Sequence, residues 1–254
     1  MYPLSAELIP YISVLELLLI VVAFICGGFC KGFFGLGVPL IAVPVIASVT
    51  NLHVAIIMIA IPSVVPNLYQ VWKYRQSWNH QFPLGSLSII TVIGSGVGVY
   101  TLVNAEPKLL TQILGALLMI YLVSNLFSPF CLSASNAKLL TYPVGFFSGI
   151  AGGTTGVSAP LILIYLSSLK LTRATFMFSI SVYFIALGSG QFFWLILSNL
   201  MTWEFVYLSA LSLVPIVFGM WLGNRVGELV PPYKFNSILQ FFLLGLAIKL
   251  ILSP

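Results

Sequence analysis

Long apolar runs, separated by short polar connections, follow one another along almost the whole sequence. Hydrophobic residues make up 60% of its 254 positions, and charged residues only 6%. A soluble domain carries about 25% charged residues, because its surface faces water. A helix of about 20 apolar residues crosses the roughly 30 Å hydrocarbon core of a bilayer. The sequence therefore predicts an all-α polytopic membrane protein and excludes a soluble globular domain.

Polar residues, glycines and prolines divide the apolar sequence into about ten segments. Most are long enough to span a bilayer, but Leu139–Ile150 and Val157–Leu169 are too short, and prolines interrupt Phe33–Val49. The predicted segments are approximately Leu8–Phe29, Phe33–Val49, Val54–Trp72, Phe82–Val103, Leu109–Phe130, Leu139–Ile150, Val157–Leu169, Phe176–Leu200, Phe205–Leu222 and Phe235–Leu252. This pattern predicts about eight to ten membrane segments.

The order of long and broken segments indicates an internal duplication. The stretch from Gly28 to Gly35 shares the pattern G-F-x-x-G-x-x-G with the stretch from Gly145 to Gly152. Membrane helices are generally rich in glycine, so chance matches occur, but the shared register favours common ancestry. We therefore predict a first repeat over residues 1–130 and a second over 131–254. Each would contain a broken or re-entrant helical hairpin followed by three crossings.

The charged residues of the loops predict the orientation. An odd number of crossings per repeat inverts the second repeat relative to the first, as in alternating-access transporters. Glu7, Glu204 and the Glu106/Lys108 turn then fall on one side of the membrane. The other side carries the basic residues and a single acid: Lys73, Arg75, Lys138, Lys170, Arg173, Arg225, Lys234 and Glu228. Because basic loops stay in the cytoplasm, both termini are predicted to be extracytoplasmic.

Two glycine-rich breaks are the best candidates for a binding site, namely Gly35–Pro39 and Gly152–Ser158. Inside a bilayer, backbone leaves helical geometry only where it is buried in protein or lines a cavity. A break also exposes amides at a helix N-terminus, which favour an anion. The alternative is close packing of crossing helices through small residues. The predicted substrate-binding residues are Lys31, Gly35, Gly37, Gly152, Gly153, Thr154, Thr155, Gly156, Ser158 and Gln191.

Lys31 is the most unusual of these residues, because it follows an apolar run and stands next to Gly32. A cation at membrane depth is costly and usually functional, so Lys31 is a candidate partner for an anion. Alternatively, its side chain extends to the nearer membrane surface. The amides of Asn67, Gln70 and Gln191 either line a cavity or form hydrogen bonds between helices.

The sequence gives little indication of nucleotide binding, catalysis or metal binding. It contains no nucleotide-binding P-loop, no H-E-x-x-H motif and no polar segment long enough for a catalytic domain. Cys26, Cys30 and Cys131 have no metal-binding spacing, and we interpret the first two as packing residues. We therefore expect no enzyme activity, no cofactor, no metal and no nucleic-acid partner. The candidates for a proton relay are Glu16 and His53.

The stretch from Gly28 to Leu40, with its degenerate repeat from Gly145 to Leu161, resembles the TauE/SafE sulfite exporter family. The helix starts at His53-Val54-Ala55 and Thr172-Arg173-Ala174 fit the same family. The resemblance implies a secondary transporter of sulfite, a sulfonate or a related small organic acid. It also implies a bacterial or archaeal inner membrane, with lipid as the surrounding partner.

The residues alone support only a small anion as substrate. They leave open the direction of transport, the coupling ion and the oligomeric state. An anion channel and a membrane scaffold without transport activity are the alternatives to a transporter.

Overall fold

The structure is a computed structural model that describes residues 13–35, 37–78, 83–124, 132, 134–227 and 232–252, with only the backbone for 134, 135 and 232–239. Over these residues the regular secondary structure is entirely helical. The α-helices are α1 Val14–Phe34, α2 Val38–Val49, α3 Leu52–Ile59, α4 Val65–Tyr74, α5 Leu84–Asn104, α6 Pro107–Ser124, α7 Ala134–Thr155, α8 Ala159–Ser168, α9 Arg173–Leu197, α10 Trp203–Leu211, α11 Leu213–Gly227 and α12 Pro232–Leu252. A short 3-10 helix, Arg75–Ser77, follows α4.

The helices fit a bilayer in length and composition. Five stretches of the described chain are long and apolar enough to cross a membrane: α1, α5, α6, α9 and the combined stretch Trp203–Gly227. Shorter apolar helices accompany them, including α2 and α8. Many of the exposed side chains are large and apolar, as expected for a surface that faces lipid. The chain is therefore an all-α polytopic membrane protein, as the composition predicts.

Glycines bring two pairs of helices into backbone contact. Helix α1 packs along α11 in the same direction, because Gly28 faces Ile216 and Gly32 faces Met220. Helix α5 packs along α7 in the same way, where Gly98 faces the backbone of α7 around Ile150. A side chain on any of these glycines would overlap the backbone of the partner helix. Small residues at such crossings permit close van der Waals packing between membrane helices.

The two halves correspond at three structural landmarks. Helices α1 and α7 each end at a left-handed glycine, Gly35 and Gly156. Helices α2 and α8 each carry a proline in their first turn, Pro39 and Pro160. The cap residues Asn51 and Thr172 precede α3 and α9. Their separation in sequence equals that between Gly35 and Gly156 and that between Pro39 and Pro160.

This correspondence corrects the predicted alignment, which paired Gly35 with Gly152, one helical turn too early. The reason is that the G-F-x-x-G-x-x-G pattern consists largely of packing glycines. Such glycines recur once per turn on one face of a helix, so that two repeats match almost as well when displaced by a turn. The structural register pairs Gly28 with Gly149 and Gly32 with Gly153, which are all in interhelical backbone contact.

Several predicted segment boundaries are wrong. The segment Leu139–Ile150 is part of the 22-residue helix α7, which continues through Gly152 and Gly153 to Thr155. The predicted break Gly152–Ser158 is therefore confined to Gly156–Ser158. The segment Phe33–Val49 divides at Gly35 into α1 and α2, and Val54–Trp72 divides at a turn that contains Pro62. The segment Phe205–Leu222 divides at Ser212, between α10 and α11.

Some predicted features lie outside the described residues. These are the chain termini with Glu7, the boundary between the repeats at residues 130 and 131, Cys131, Leu36 within the first break, and the Glu228 and Lys234 side chains of the basic side. The division into residues 1–130 and 131–254 and the orientation in the membrane stay predictions.

Candidate functional site

The first break is built by two glycines between α1 and α2. The N–H of Gly35 donates to the carbonyl of Lys31 at 2.9 Å, and this closes the last turn of α1. Gly35 has φ 83°, a left-handed conformation that glycine adopts without steric cost. Gly37 then caps α2, and Pro39 in the first turn lacks an N–H that would otherwise need a partner there.

Lys31 is buried inside the protein, with only 2% of its surface exposed. Its Nζ donates to the Asn67 side-chain oxygen at 2.6 Å and to the Gly35 carbonyl at 2.9 Å. The Phe184 ring lies 5.8 Å from Nζ, within the range of a cation–π contact. Lys31 therefore points into the helix bundle and does not extend to the membrane surface.

Asn67 holds this arrangement in place. Its side-chain N–H donates to the Ser63 carbonyl at 2.7 Å, so its oxygen is directed at Lys31. Both partners of Lys31 Nζ are neutral dipoles.

A small cavity lies against Lys31. About 10 Å³ of it is open to the centre of a water molecule, which is room for about one water. Among the described residues, no carboxylate lines this cavity. Its lining consists of Lys31, Gly37, Val38, Pro39, Pro62, Ser63, Asn67 and Phe184. The cavity thus combines the buried Lys31 amino group with the start of helix α2, and both offer donors suited to an anion.

The second break repeats this backbone geometry without a lysine. The N–H of Gly156 donates to the Gly152 carbonyl at 2.8 Å, and the Gln191 side-chain N–H donates to the same carbonyl at 3.0 Å. The Thr155 hydroxyl donates to the Ala151 carbonyl at 2.8 Å and accepts from the N–H of Val157 at 3.2 Å. Gly152, Thr155 and Gln191 therefore stabilise the turn itself in this structure.

Gly153 and Thr154 lie on the face of α7 that packs against α5. A Cβ on Gly153 would overlap the Ser95 carbonyl, and the Thr154 hydroxyl donates to the Gly98 carbonyl at 3.1 Å. These two predicted site residues therefore lie in a helix–helix contact. This is what the alternative, close packing of helices through small residues, predicts.

Three buried hydroxyls meet beside the second break. Ser158, at 1% exposure, caps α8, and the Tyr183 hydroxyl lies close to the hydroxyls of Ser148 and Ser158. Among the described residues, neither Ser158 Oγ nor Tyr183 OH has a hydrogen bond of good geometry. Buried hydroxyls without such bonds are costly and rare.

Both candidates for a proton relay have hydrogen-bond partners in the structure. Glu16 lies in the first turn of α1, where its carboxylate accepts from the N–H of the cap residue Ser13 at 2.8 Å. His53 Nε2 lies 2.9 Å from the Leu102 carbonyl, at the start of α3.

The comparison with protein families supplies the decisive match. The family described as Sulfite exporter TauE/SafE matches residues 19–250. The chain belongs to the TauE/SafE family. The comparisons with curated proteins and with solved structures gave no match. As a TauE/SafE protein it is a multi-pass membrane transporter.

Both breaks of this TauE/SafE protein contact the same segment of α9. Phe184 faces Lys31 at the first break, whereas Leu187 and Gln191 contact Gly152 at the second. Of the predicted residues, the structure brings Lys31, Gly35 and Gly37 together at the first break. The second break does not line the Lys31 cavity.

Three residues of the site were missed from the sequence. The sequence indicates Ser63 only weakly, because it lies four residues before Asn67, a spacing that places two residues on one face of a helix. It does not indicate Phe184 or Tyr183, since each is one aromatic residue among many in an apolar helix.

Proposed function

We propose that this protein is a secondary transporter that carries a small anion, sulfite or an organosulfonate, across the cytoplasmic membrane by alternating access. The observation that carries the proposal is the buried Lys31 amino group beside the cavity, whose hydrogen-bond partners among the described residues are all neutral. The family description, a sulfite exporter, supports the same class of substrate.

The energetics of Lys31 favour an anionic partner. An isolated charge in a low-dielectric interior costs several kcal/mol even after relaxation, and nearby dipoles offset only part of this. An oxyanion at the cavity would supply the opposite charge and several acceptor oxygens at once. Asn67 and the Gly35 carbonyl hold Nζ beside the cavity, so the lysine is already oriented for such a ligand.

The size of the cavity supports a conformational change during transport. Sulfite, with one sulfur and three oxygens, is larger than the single water for which the cavity has room. Its binding therefore requires the helices around Lys31 to move apart. Helix α9 contacts both breaks, so movement of one half against the other would reshape both together. We assign the moving halves to the inverted repeats 1–130 and 131–254.

Uptake of radiolabelled sulfite into proteoliposomes tests the proposal. Lys31→Gln keeps a donor for Asn67 but removes the charge, and Lys138→Gln removes an exposed lysine outside the cavity as a matched control. A hydrogen bond to a charged group contributes about 1.5–3 kcal/mol, so Lys31→Gln should raise KM about ten- to a hundred-fold. The control should leave KM unchanged.

Two outcomes of this experiment count against the proposal. Equal KM values for the wild type and Lys31→Gln would remove Lys31 from the substrate site. Flux that does not saturate, accompanied by electrical conductance, would indicate a channel.

A further inference from the structure

A second and wider cavity opens next to the first break, on the side that carries the predicted cytoplasmic loops. About 40 Å³ of it is open to the centre of a water molecule. Gly35, Gln70 and Met177 form part of its buried floor. Its rim is exposed and includes two cations and an amide, namely Lys73, Arg173 and Asn224. No carboxylate belongs to its lining in the described part of the chain.

The rim cations come from different helices. Lys73 lies in the last turn of α4, and its Nζ lies 5.6 Å from the ring centre of Tyr74, which also lines the cavity. Arg173 is the first residue of α9, and the N-terminus of this helix adds partial positive charge, although the Thr172 hydroxyl caps the N–H of Thr175. An anion between them would be attracted by two full charges and by one helix end.

Helix α4 connects this cavity to the cavity at Lys31. Asn67 lines the inner cavity, whereas Gln70 and Tyr74 line the outer one. These three residues follow at intervals of three and four, so they share one face of the helix. The rise from Asn67 to Lys73 is about 9 Å at 1.5 Å per residue. The two cavities are therefore successive positions along one polar face.

The two cavities are separated at Gly35. Its carbonyl accepts from Lys31 on the inner side, and a Cβ at this position would overlap Met177 on the outer side. The same position lies 3.7 Å from the Gln70 side-chain nitrogen.

We infer that the cavity between Lys73 and Arg173 is an outer binding site for the transported oxyanion, occupied before or after the site at Lys31. This inference rests on the proposed function and adds to it a second site that lies outside the breaks. Its ligand is the same small sulfur oxyanion. Because the rim is exposed, the site captures the ion weakly, and salt screens the attraction. An anionic lipid headgroup has the same chemistry, so the test has to distinguish it from the free ion.

Transport kinetics provide the first test. Lys73→Gln and Arg173→Gln are compared with Lys138→Gln, an exposed cation outside the cavity, in vesicles of phosphatidylcholine without anionic lipid. Each rim variant should raise KM for sulfite about three- to five-fold at low ionic strength and leave kcat unchanged. The difference should shrink at high salt, since the Debye length falls to about 3 Å at 1 M. Unchanged KM in both rim variants, or a change in kcat alone, would overturn the inference.

Binding measurements test the outer site independently of transport. In the purified Lys31→Gln protein, weak binding of radiolabelled sulfite should remain, and adding Lys73→Gln and Arg173→Gln together should abolish it. Failure of the wild type to transport sulfite would refute the proposed function, while this residual binding would still report on the outer site. Absence of the residual binding would overturn the inference, as would an effect of the rim variants that appears only with anionic lipid in the vesicles.

Discussion

Replacing Gly153 by alanine should force helices α5 and α7 apart and destabilise the protein. The new Cβ would overlap the Ser95 carbonyl oxygen and lie 3.0 Å from the Cα of Gly98. Ordinary van der Waals contact begins at 3.4 Å, so the backbones must separate by about 0.4 Å at Gly98 and by more at the oxygen. Both neighbours are backbone atoms, which have no rotamer in which to move away. Overpacking of this kind costs about 1–3 kcal/mol.

Thermal unfolding in detergent measures this cost, and Gly245→Ala is the matched control. A Cβ on Gly245 meets nothing within 4 Å, so alanine there should stabilise helix α12 by up to about 1 kcal/mol. The two variants make the same chemical change, and their Tm values should move in opposite directions. A Gly153→Ala protein with wild-type Tm but weaker sulfite transport would refute the packing argument and would return Gly153 to the substrate site.

Two further predictions follow from the site and from the loop charges. Asn67→Leu removes the acceptor that lies 2.6 Å from Lys31 Nζ. It should therefore lower the free energy of unfolding by about 1–3 kcal/mol, measured by thermal unfolding. An unchanged Tm would contradict the importance of this hydrogen bond. Gln76→Cys, in an otherwise cysteine-free chain, should react with an impermeant thiol reagent only from the cytoplasmic side of oriented membrane vesicles. Reaction from the opposite side would reverse the predicted orientation.

Composition was sufficient to predict the fold class. A chain with 6% charged residues has too few of them to cover a surface in water, whatever their order. The break at Gly35 was also predictable, because two glycines separated by one residue, followed two residues later by proline, form a pattern that ends one helix and begins another. The lysine beside it was predictable as a candidate site because a cation inside an apolar run is costly.

The register of the repeat and the extent of the second break were not predictable in the same way. Gly152 and Gly153 look like helix breakers in the sequence, yet they remain helical in α7. Contact with α5 decides this, because Gly153 allows the two backbones to approach closely. Local propensity is a weak guide wherever tertiary packing determines the outcome. The same limit explains why Phe184, distant in sequence from Lys31, was missed.

The structural register also shows how the two breaks differ. It pairs Lys31 with Gly152, so the second half has no side chain where the first half has an ammonium. The carbonyl of Gly152 receives instead the neutral amide of Gln191. A transported ion must bind well enough to enter and weakly enough to leave. In the proposed mechanism, one buried cation with neutral donors would satisfy both conditions better than two buried cations, which would hold a divalent oxyanion too tightly. The loss of symmetry at Lys31 is therefore consistent with a site that releases its anion.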